Sequence, residues 1–535
     1  MDKKPHLLSS SSISPKDSPK KIVSLLLKNR GVKKIDEFLD PQYPELKLPL
    51  KSAVRLIKET IAAKGKILIY GDYDVDGITA TAILWQSLYQ LYPQVTPFIP
   101  HRERDGYGTK SESFFRFQTE KNTTFDLIIT VDNGIVAEKE LSKIKSKQPN
   151  LKIIVTDHHL SDKPLLSANV VVHTTLVSGA AISWFLSKEF YKDADLGLAA
   201  LGAVSDCLPL TGVNRSLVVH GLQSLRLNPS PGIKKLINIS GTRQDSLSTY
   251  ELGFLLGPRI NAVGRLADPT EALRLLCSQN QLQATKYAQS LNSTNQDRQS
   301  LQKETLELVD KSIDLSNKLI FISGDYNPGI IGLLAGRLTE KYYLPSIVIS
   351  TSSEVAKGSC RSIPELNIIE ALREYSDLFI DLGGHPLAAG FSIKPENINK
   401  LQKKLSKSIF SFLGKLSLEP HIDVDAIMDI GAVTIKNINA IQKLAPFGIG
   451  NPEPIFLFKD VTMTNVKAIG QTGDHLKFKA GSLDAIAFKK GELIGKFSND
   501  PKVDIIASLS LNTWNNLTTP QLIVREIIKS GSDVV

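Results

Sequence analysis

The sequence predicts an α/β protein of several domains: a parallel-sheet domain, a helical connector, a second α/β domain and a C-terminal β-barrel. Three observations predict it. Short, near-continuous apolar runs start near residues 66, 126, 152 and 169 and alternate with helical or polar stretches, the pattern of a parallel sheet buried on both faces. From about 265 to 315 the chain is polar and helical, and a second set of apolar runs with helices between them follows. After about 418, strand-like runs succeed one another at short spacing, punctuated by Gly or Asn, as in a small barrel or sandwich.

At roughly 100–200 residues per domain, 535 residues make about three domains. Residues 1–20, rich in Ser, Lys and Pro, read as a flexible tail. IVSLLLKNRG and SAVRLIKETIAAKG are amphipathic helical patterns that each close on a Gly. With the runs KILIYG, DLIITVD, KIIVTD and NVVVH they form one domain over 21–225, and the connector takes 226–315. KLIFISG, PSIVIS and DLFIDLGG place the second α/β domain over 316–410. FLFKDVTMTNVKAIG, HLKFKAG, DAIAFKKG, VDIIASLSLNTW and QLIVREI place the barrel over 418–530.

Composition narrows the class. Hydrophobic residues at 42% and charged residues at 22% exclude long disorder, a collagen repeat and a disulfide scaffold. Cys207, Cys277 and Cys360 lie far apart with no C-x-x-C pair, which excludes a Cys-rich zinc module and suits a reducing compartment. No apolar run approaches the ~18–20 residues of a membrane span, and the opening stretch has no signal-peptide core. A cytoplasmic protein without a membrane partner is expected. The net charge of +9 is compatible with a polyanionic partner such as nucleic acid.

The chemistry concentrates after the first apolar run. Asp72, Asp74 and Asp76 occupy alternate positions in YGDYDVDG. In an extended strand they would project from one face, where like charges repel unless a cation resolves the conflict. Gly77 would then turn the chain into the helix TATAILWQSLYQ. The bland alternative is a polar turn with a single Asp N-cap.

Asp132 in TVDNG ends the next run, Asp157-His158-His159 ends the third, and Asp206 follows the Gly/Ala-rich LGAVS. Singly, these read as a turn, a surface or core His pair, and nothing in particular. Together, at the carboxyl ends of successive parallel strands where α/β ligand crevices lie, they make a site for Mn2+ or Mg2+. Two ions ~3.5–4 Å apart polarise a phosphoryl group and activate water. Metal-assisted phosphoester hydrolysis is the class expected. No Walker motif or nucleophile elbow is present, so ATP-driven chemistry and serine hydrolysis lack support.

At these residues the sequence resembles the DHH phosphoesterase superfamily: YGDYDVDG, TVDNG, TDHH and GAVSD match its core motifs in order. RGVKKIDEFLDP, HRERDGYG, GPRINAVGRLADP, LNSTNQDRQ, GIIGLLAGRL, KGSCRSIP, GGHPLAAGFS, LAPFGIGNPEP and NTWNNLTTPQL, over residues ~22–530, resemble its single-stranded-DNA exonuclease branch. The resemblance implies a DHH domain, a DHH-associated domain and an OB-fold. It implies 5′-to-3′ removal of 5′-mononucleotides from single-stranded DNA, in recombination and repair, with two divalent cations. A single-stranded-DNA-binding protein and a recombination helicase are the implied partners.

By the same resemblance Asp74, Asp76, Asp132, His158 and Asp206 are metal ligands, with Asp132 the bridge. His159 faces the scissile phosphate, Asp157 orients a histidine, and Asp72 is the first motif acid. Ser359, Arg361, Gly383, Gly384 and His385 contact the substrate, joined by Arg102, Arg259 and Arg265. A structural salt bridge is the alternative for each Arg, and a Gly-rich turn with a capping His for GGHPLAAGFS. Trp514 is either a stacking platform or a core residue. Asn327 stands where the family usually has His, which puts a substrate role there in doubt. The rival readings are another DHH phosphoesterase such as an oligoribonuclease, and a non-catalytic DNA-binding scaffold, whose mark would be eroded acids.

Overall fold

The computed structural model describes residues 3–161, 163–495, 501–515 and 517–530. Residues 1–2 of the N-terminal stretch, and 496–500 and 516 of the strand-rich segment, lie outside them. The chain forms two compact units: Asp40–Glu304 with Gly448–Asn451, and Met1–Leu39 with Thr305–Phe447 and Pro452–Val535.

The chain opens not on a flexible tail but on two short strands, β1 (Lys4–Leu7) and β2 (Ser12–Ile13). β1 pairs in parallel with His421–Val424, and β2 pairs in parallel with Ala426–Met428. Polar composition misleads here because pairing needs only alternate inward residues, and Pro5 and Ile13 supply them. Ser18 then caps the helix Pro19–Asn29, its Oγ accepting from the Lys21 amide at 3.3 Å. Ile22, Leu26 and Leu27 pack in one cluster with Phe456 and Phe458. Arg30 pairs with Asp425 at 2.8 Å, both side chains nearly sealed from solvent. The first helix thus belongs to the C-terminal strands and not to the domain expected over 21–225. The helix Leu50–Ala62 does join the parallel sheet, through Ala53 and Ile57.

That sheet contains β3 (Ile67–Tyr70), β4 (Val95–Phe98), β5 (Leu127–Val131), β6 (Lys152–Asp157) and β7 (Val170–His173). All are parallel, in the order β4-β3-β5-β6-β7. Side-chain alternation sends Ile67, Ile69 and Ile129 to one core, and Leu68, Tyr70 and Ile128 to another lined by Phe114 and Phe117. The sequence reading missed β4: it is short and contains Pro97, which is tolerated because the strand lies at the sheet edge. The chain runs from β3 out to β4 and returns across β3 to β5. The order therefore reverses between β3 and β5, where a ligand crevice opens.

In the other unit β8 (Ile320–Gly324), β9 (Ser346–Ser350), β10 (Ala356–Arg361), β11 (Phe379–His385) and β12 (Ala388–Ile393) form a sheet in the order β11-β12-β10-β9-β8. It is mixed: only β8 and β9 are parallel. β13 (His421–Val424) and β14 (Ala426–Met428) are the partners of β1 and β2. β15 (Phe456–Ile469), β16 (His475–Ala480), β17 (Leu483–Ala487), β18 (Lys502–Trp514) and β19 (Leu517–Lys529) close into a barrel, because β15 pairs with both β16 and β18. A register shift after Phe458, with Asp460 left-handed at φ 52°, bends β15 so that one strand serves two partners.

Because Leu26 is fully buried among barrel residues, Leu26→Ala should cost ~2–5 kcal/mol. The loss should fall on the C-terminal barrel. Hydrogen exchange should quicken at Phe456–Phe458 and stay unchanged in β3 and β5. The opposite pattern would return the helix to the parallel-sheet domain.

Candidate metal centre

The three alternate aspartates converge through a helix start and not a strand face. β3 ends at Tyr70. Asp72 lies in the following loop, Asp74 N-caps the helix Val75–Tyr89 through the Gly77 amide at 3.0 Å, and Asp76 sits in its first turn. The cap and the clustering coexist, because the positive end of a helix favours carboxylates. Gly77, expected as a turn, lies inside the helix. A Cβ there would stand 2.6 Å from the Asp72 Cβ, so its absence lets helix and loop touch.

Asp132 follows β5 with left-handed backbone at φ 62°. Asp157 is the last residue of β6, and His158 and His159 come next. Asp206 caps the C-terminus of the helix Leu196–Ser205. These elements bring His158 Nε2 to 3.1 Å from Asp132 Oδ1, 3.6 Å from Asp206 Oδ2 and 3.7 Å from Asp76 Oδ2. Ligand atoms of Asp76, His158 and Asp206 all lie within 4.8 Å of one another, as do those of Asp72, Asp74 and Asp132, and those of Asp132, His158 and His159. Asp72 thus stands with the metal-binding candidates.

Two glycines that the sequence reading did not single out make the cluster possible. A Cβ on Gly179 would lie 2.5 Å from Asp132 Oδ1, and one on Gly202 would lie 2.4 Å from Asp76 Oδ1. Gly179 and Ala180 open a helix whose amides donate to Asp76 at 2.7 and 3.0 Å. The signal was a small residue in GAVSD and at Val-Ser-Gly-Ala, legible only once the packing is known.

The electrostatics call for a cation. Burial, with Asp74 next, pushes Asp72 up to about 8. Burial and the Asp76 charge push Asp206 up to about 8. Asp132 is raised well above the usual carboxylate range, chiefly by burial and then by Asp76. Burial lowers His158 and keeps its imidazole neutral, the form that ligates metals. Asp132 Oδ1 is buried and accepts no hydrogen bond. A buried acceptor facing a neutral imidazole nitrogen suits a shared divalent cation.

His159 differs. Asp157 Oδ1 accepts from its Nδ1 at 2.7 Å and from its amide at 3.1 Å, while Asp157 Oδ2 accepts from the Ile135 amide at 2.9 Å. Burial opposes a charged ring, yet the Asp157 bond prevails and pushes His159 up to about 9. On the other side the Tyr107 hydroxyl lies 3.2 Å from His159 Nε2. Tyr107 lies within HRERDGYG, and the sequence reading passed over it.

Arg102 lies 5.5 Å over the Tyr73 ring, next to Asp72. Arg265 belongs to the helix Gly257–Leu266, which leans on the acid loop: Asn261 Oδ1 accepts from the Val75 amide at 3.1 Å. Arg259 donates Nε to Asn292 and Nη1 to the Leu255 carbonyl, at 3.0 and 2.7 Å, so these nitrogens hold the fold. Ser359 and Arg361 lie on β10 of the other unit, where Arg361 Nη1 donates to the Cys360 carbonyl at 2.8 Å. Gly383, Gly384 and His385 end β11, so GGHPLAAGFS is a hairpin and not a loose turn. Gly384 permits it, since a Cβ there would lie 2.4 Å from the Ala388 carbonyl. Asn327 Oδ1 accepts from the Gly329 amide at 2.7 Å. Trp514 is 74% exposed at the end of β18, which excludes a core role. No helix among the described residues is long and apolar enough to cross a membrane.

Three family models match: the DHH family N-terminal domain over residues 66–202, the DHHA1 domain over 316–410 and the RecJ OB domain over 424–526. The single-stranded-DNA-specific exonuclease RecJ of Bacillus subtilis is 33% identical over 512 residues, covering 92% of this chain and 64% of that protein. RecJ of Thermus thermophilus is 31% identical, covering 91% and 72%. The structure of RecJ from Thermus thermophilus in complex with Mn2+ superimposes with a TM-score of 0.84 at 28% identity, covering 99% of this chain and 80% of that one. A Mg2+ complex of the same protein gives 0.79 at 27% identity, covering 99% and 79%.

At pH 7 carboxyls with affinities near 8 still hold protons, and an arriving cation must displace them. Titration calorimetry with Mn2+ in buffers of different ionisation enthalpy should show release of on the order of one to two protons at pH 7. Affinity should fall as the pH is lowered. Gly202→Ala should weaken Mn2+ binding by roughly 10–100-fold, as disturbing a ligand's support does. Proton-neutral binding would contradict the acid assignment.

Proposed function

The chain belongs to the RecJ family of single-stranded-DNA-specific exonucleases, and from that membership we propose that it removes 5′-mononucleotides from the 5′ end of single-stranded DNA, using two Mn2+ or Mg2+ ions, in recombination and repair. The observation that carries the proposal is Asp132: a buried carboxylate whose Oδ1 makes no hydrogen bond and faces His158 Nε2 at 3.1 Å, between the Asp72/Asp74 and the Asp76/His158/Asp206 groups. That position suits a bridge. The intact acids favour catalysis over a DNA-binding scaffold. The RecJ OB match favours this family over a shorter DHH phosphoesterase.

When bound, the ions supply polarisation of the phosphoryl group, an activated water and stabilisation of the leaving 3′-oxygen. The side chains do the rest. Asp74, Asp76, Asp132, His158 and Asp206 would hold the ions, with Asp72 beside Asp74 as a further candidate ligand. Asp157 fixes the His159 ring and stabilises its charged form, which leaves Nε2–H, beside the Tyr107 hydroxyl, as the donor to the scissile phosphate. Tyr107 steers that nitrogen. Arg102, Arg265, Ser359 and Arg361 grip phosphates, and the barrel holds the strand by charge and stacking, with Trp514 an exposed stacking face. A single-stranded-DNA-binding protein, a recombination helicase and a cytoplasmic site of action complete the proposal.

Asp132→Ala should reduce hydrolysis to background at saturating Mn2+ while leaving the circular dichroism and the unfolding midpoint close to wild type. Single-stranded DNA labelled at its 5′ end should yield labelled mononucleotide at once, and 3′-labelled DNA only late. Wild-type turnover in the variant, or the reverse order of label release, would sink the assignment.

A further inference from the structure

The loop between β4 and the helix Ser111–Glu120 brings Tyr107 to His159 and Arg102 to the Tyr73 ring beside Asp72. Between His101 and Gly108 its only large apolar side chain is Tyr107, which is 52% exposed. Gly106 and Gly108 flank it, both left-handed at φ 74°. Glycines add freedom to a chain, and surface loops are mobile unless tied down. Polar anchors hold this one. After Tyr107 they are Thr109, whose hydroxyl donates to Asn133 beside Asp132, and Lys110, whose amide donates to the Tyr70 hydroxyl at 3.4 Å.

Before Tyr107 the anchor is Asp105, whose side chain is wholly buried. Its Oδ2 accepts from the His101 amide at 2.7 Å, and its own amide donates back to the His101 carbonyl at 2.7 Å, which closes the short helix Arg102–Asp105. Oδ1 accepts from Ser113 Oγ at 2.9 Å and faces Arg116 Nη2 at 2.5 Å. Burial opposes a charged carboxyl here, yet the His101 amide, Ser113 and Arg116 hold it below the usual carboxylate range. The helix Ser111–Glu120 does not need this acid. Glu140 accepts from the Ser111 amide at 3.0 Å, Arg116 Nε donates to Glu120 at 3.1 Å, and Phe114 and Phe117 are buried in one core with Tyr70. What depends on Asp105 is the loop.

We propose that Asp105 is a positioning residue of the nuclease reaction: it ties the loop to a fixed helix, so that Tyr107 meets His159 Nε2 and Arg102 faces the substrate phosphate. The proposal rests on the exonuclease reading and adds the element that makes a polar loop rigid enough to serve it. Tyr107 stands two residues after Asp105 and reaches His159 at 3.2 Å, and Arg102 directly follows the His101 amide that Asp105 holds. A misplacement of about 1 Å can cost on the order of 10²-fold in rate. A loop released at Asp105 moves both side chains together, Tyr107 acting on turnover and Arg102 on substrate binding.

The test uses the full chain with saturating Mn2+ and single-stranded DNA. Asp105→Ala should lower kcat by roughly 10–100-fold and raise KM, whereas a chain that is only less stable would lose kcat at unchanged KM. Asp105→Asn keeps an acceptor for His101 and Ser113 and should recover most of the loss. Tyr107→Phe removes the hydroxyl that the loop presents, so Asp105→Ala added to it should lower kcat by less than the product of the two single losses. The amides of Gly106 and Lys110, neither bonded to the Asp105 carboxylate, should exchange hydrogen faster in Asp105→Ala, with those of β5 unchanged. Ser113→Ala, a change outside the loop, should give the same pattern more weakly and decides the matter if Asp105→Ala does not fold. An unchanged KM, losses that multiply, or unmoved exchange would overturn the proposal. A wild-type chain inactive on single-stranded DNA would overturn the exonuclease reading itself.

Discussion

Carboxylates that cannot all be charged together at the ends of β3, β5 and β6 are the constraint on which the parallel-sheet unit depends. Asp72, Asp76, Asp132 and Asp157 are almost wholly buried, with His158 set among three of the cluster's acids. Burial alone would neutralise most of them. The chain answers in two ways. Asp157 and Asp76 are satisfied by protein donors, the first by His159 and Ile135 and the second by a helix start. Asp132 is left with an oxygen that accepts no hydrogen bond and faces the His158 ring nitrogen. Glycines at 77, 179 and 202 let the supporting elements close on these acids. The reversal of strand order between β3 and β5 supplies the opening in which the acids meet.

Much of this was legible in the sequence. Acids that end successive apolar runs identify the site, because parallel strands place their carboxyl ends together whatever the details of their connections. The means of convergence was less legible. Alternate spacing suits both a pleat and a helix cap, and only the geometry of Asp74 and Gly77 decides between them. Tyr107 and the two supporting glycines lie in legible motifs, yet their value lies in what they approach, which only the packing shows. Nor does residue type announce that Arg259 binds Asn292 and the Leu255 carbonyl.

The division of the chain was the least legible. Apolar runs mark strands but not their partners, so β4, β10 and β12 were missed and the mixed character of the second sheet was hidden. Trp514, ambiguous as a residue type, loses its core alternative through its exposure at the end of β18. The N-terminal stretch was misjudged because its partners lie some four hundred positions downstream. No local pattern announces that Lys4 will face His421.

The same pairing sets a schedule for biosynthesis. β1, β2 and the helix Pro19–Asn29 leave the ribosome some four hundred residues ahead of the strands and apolar side chains that cover them. At ~5–20 residues per second, the first segment waits roughly 20–80 s for its partners. Meanwhile residues 40–304 of the parallel-sheet unit, which carry its core, are already made. During that interval Ile22, Leu26 and Leu27 are bare in the nascent chain. Lys16, Lys20, Lys21 and Lys28 lie in the same segment, charges of the kind that flank unavoidable apolar stretches and oppose their association.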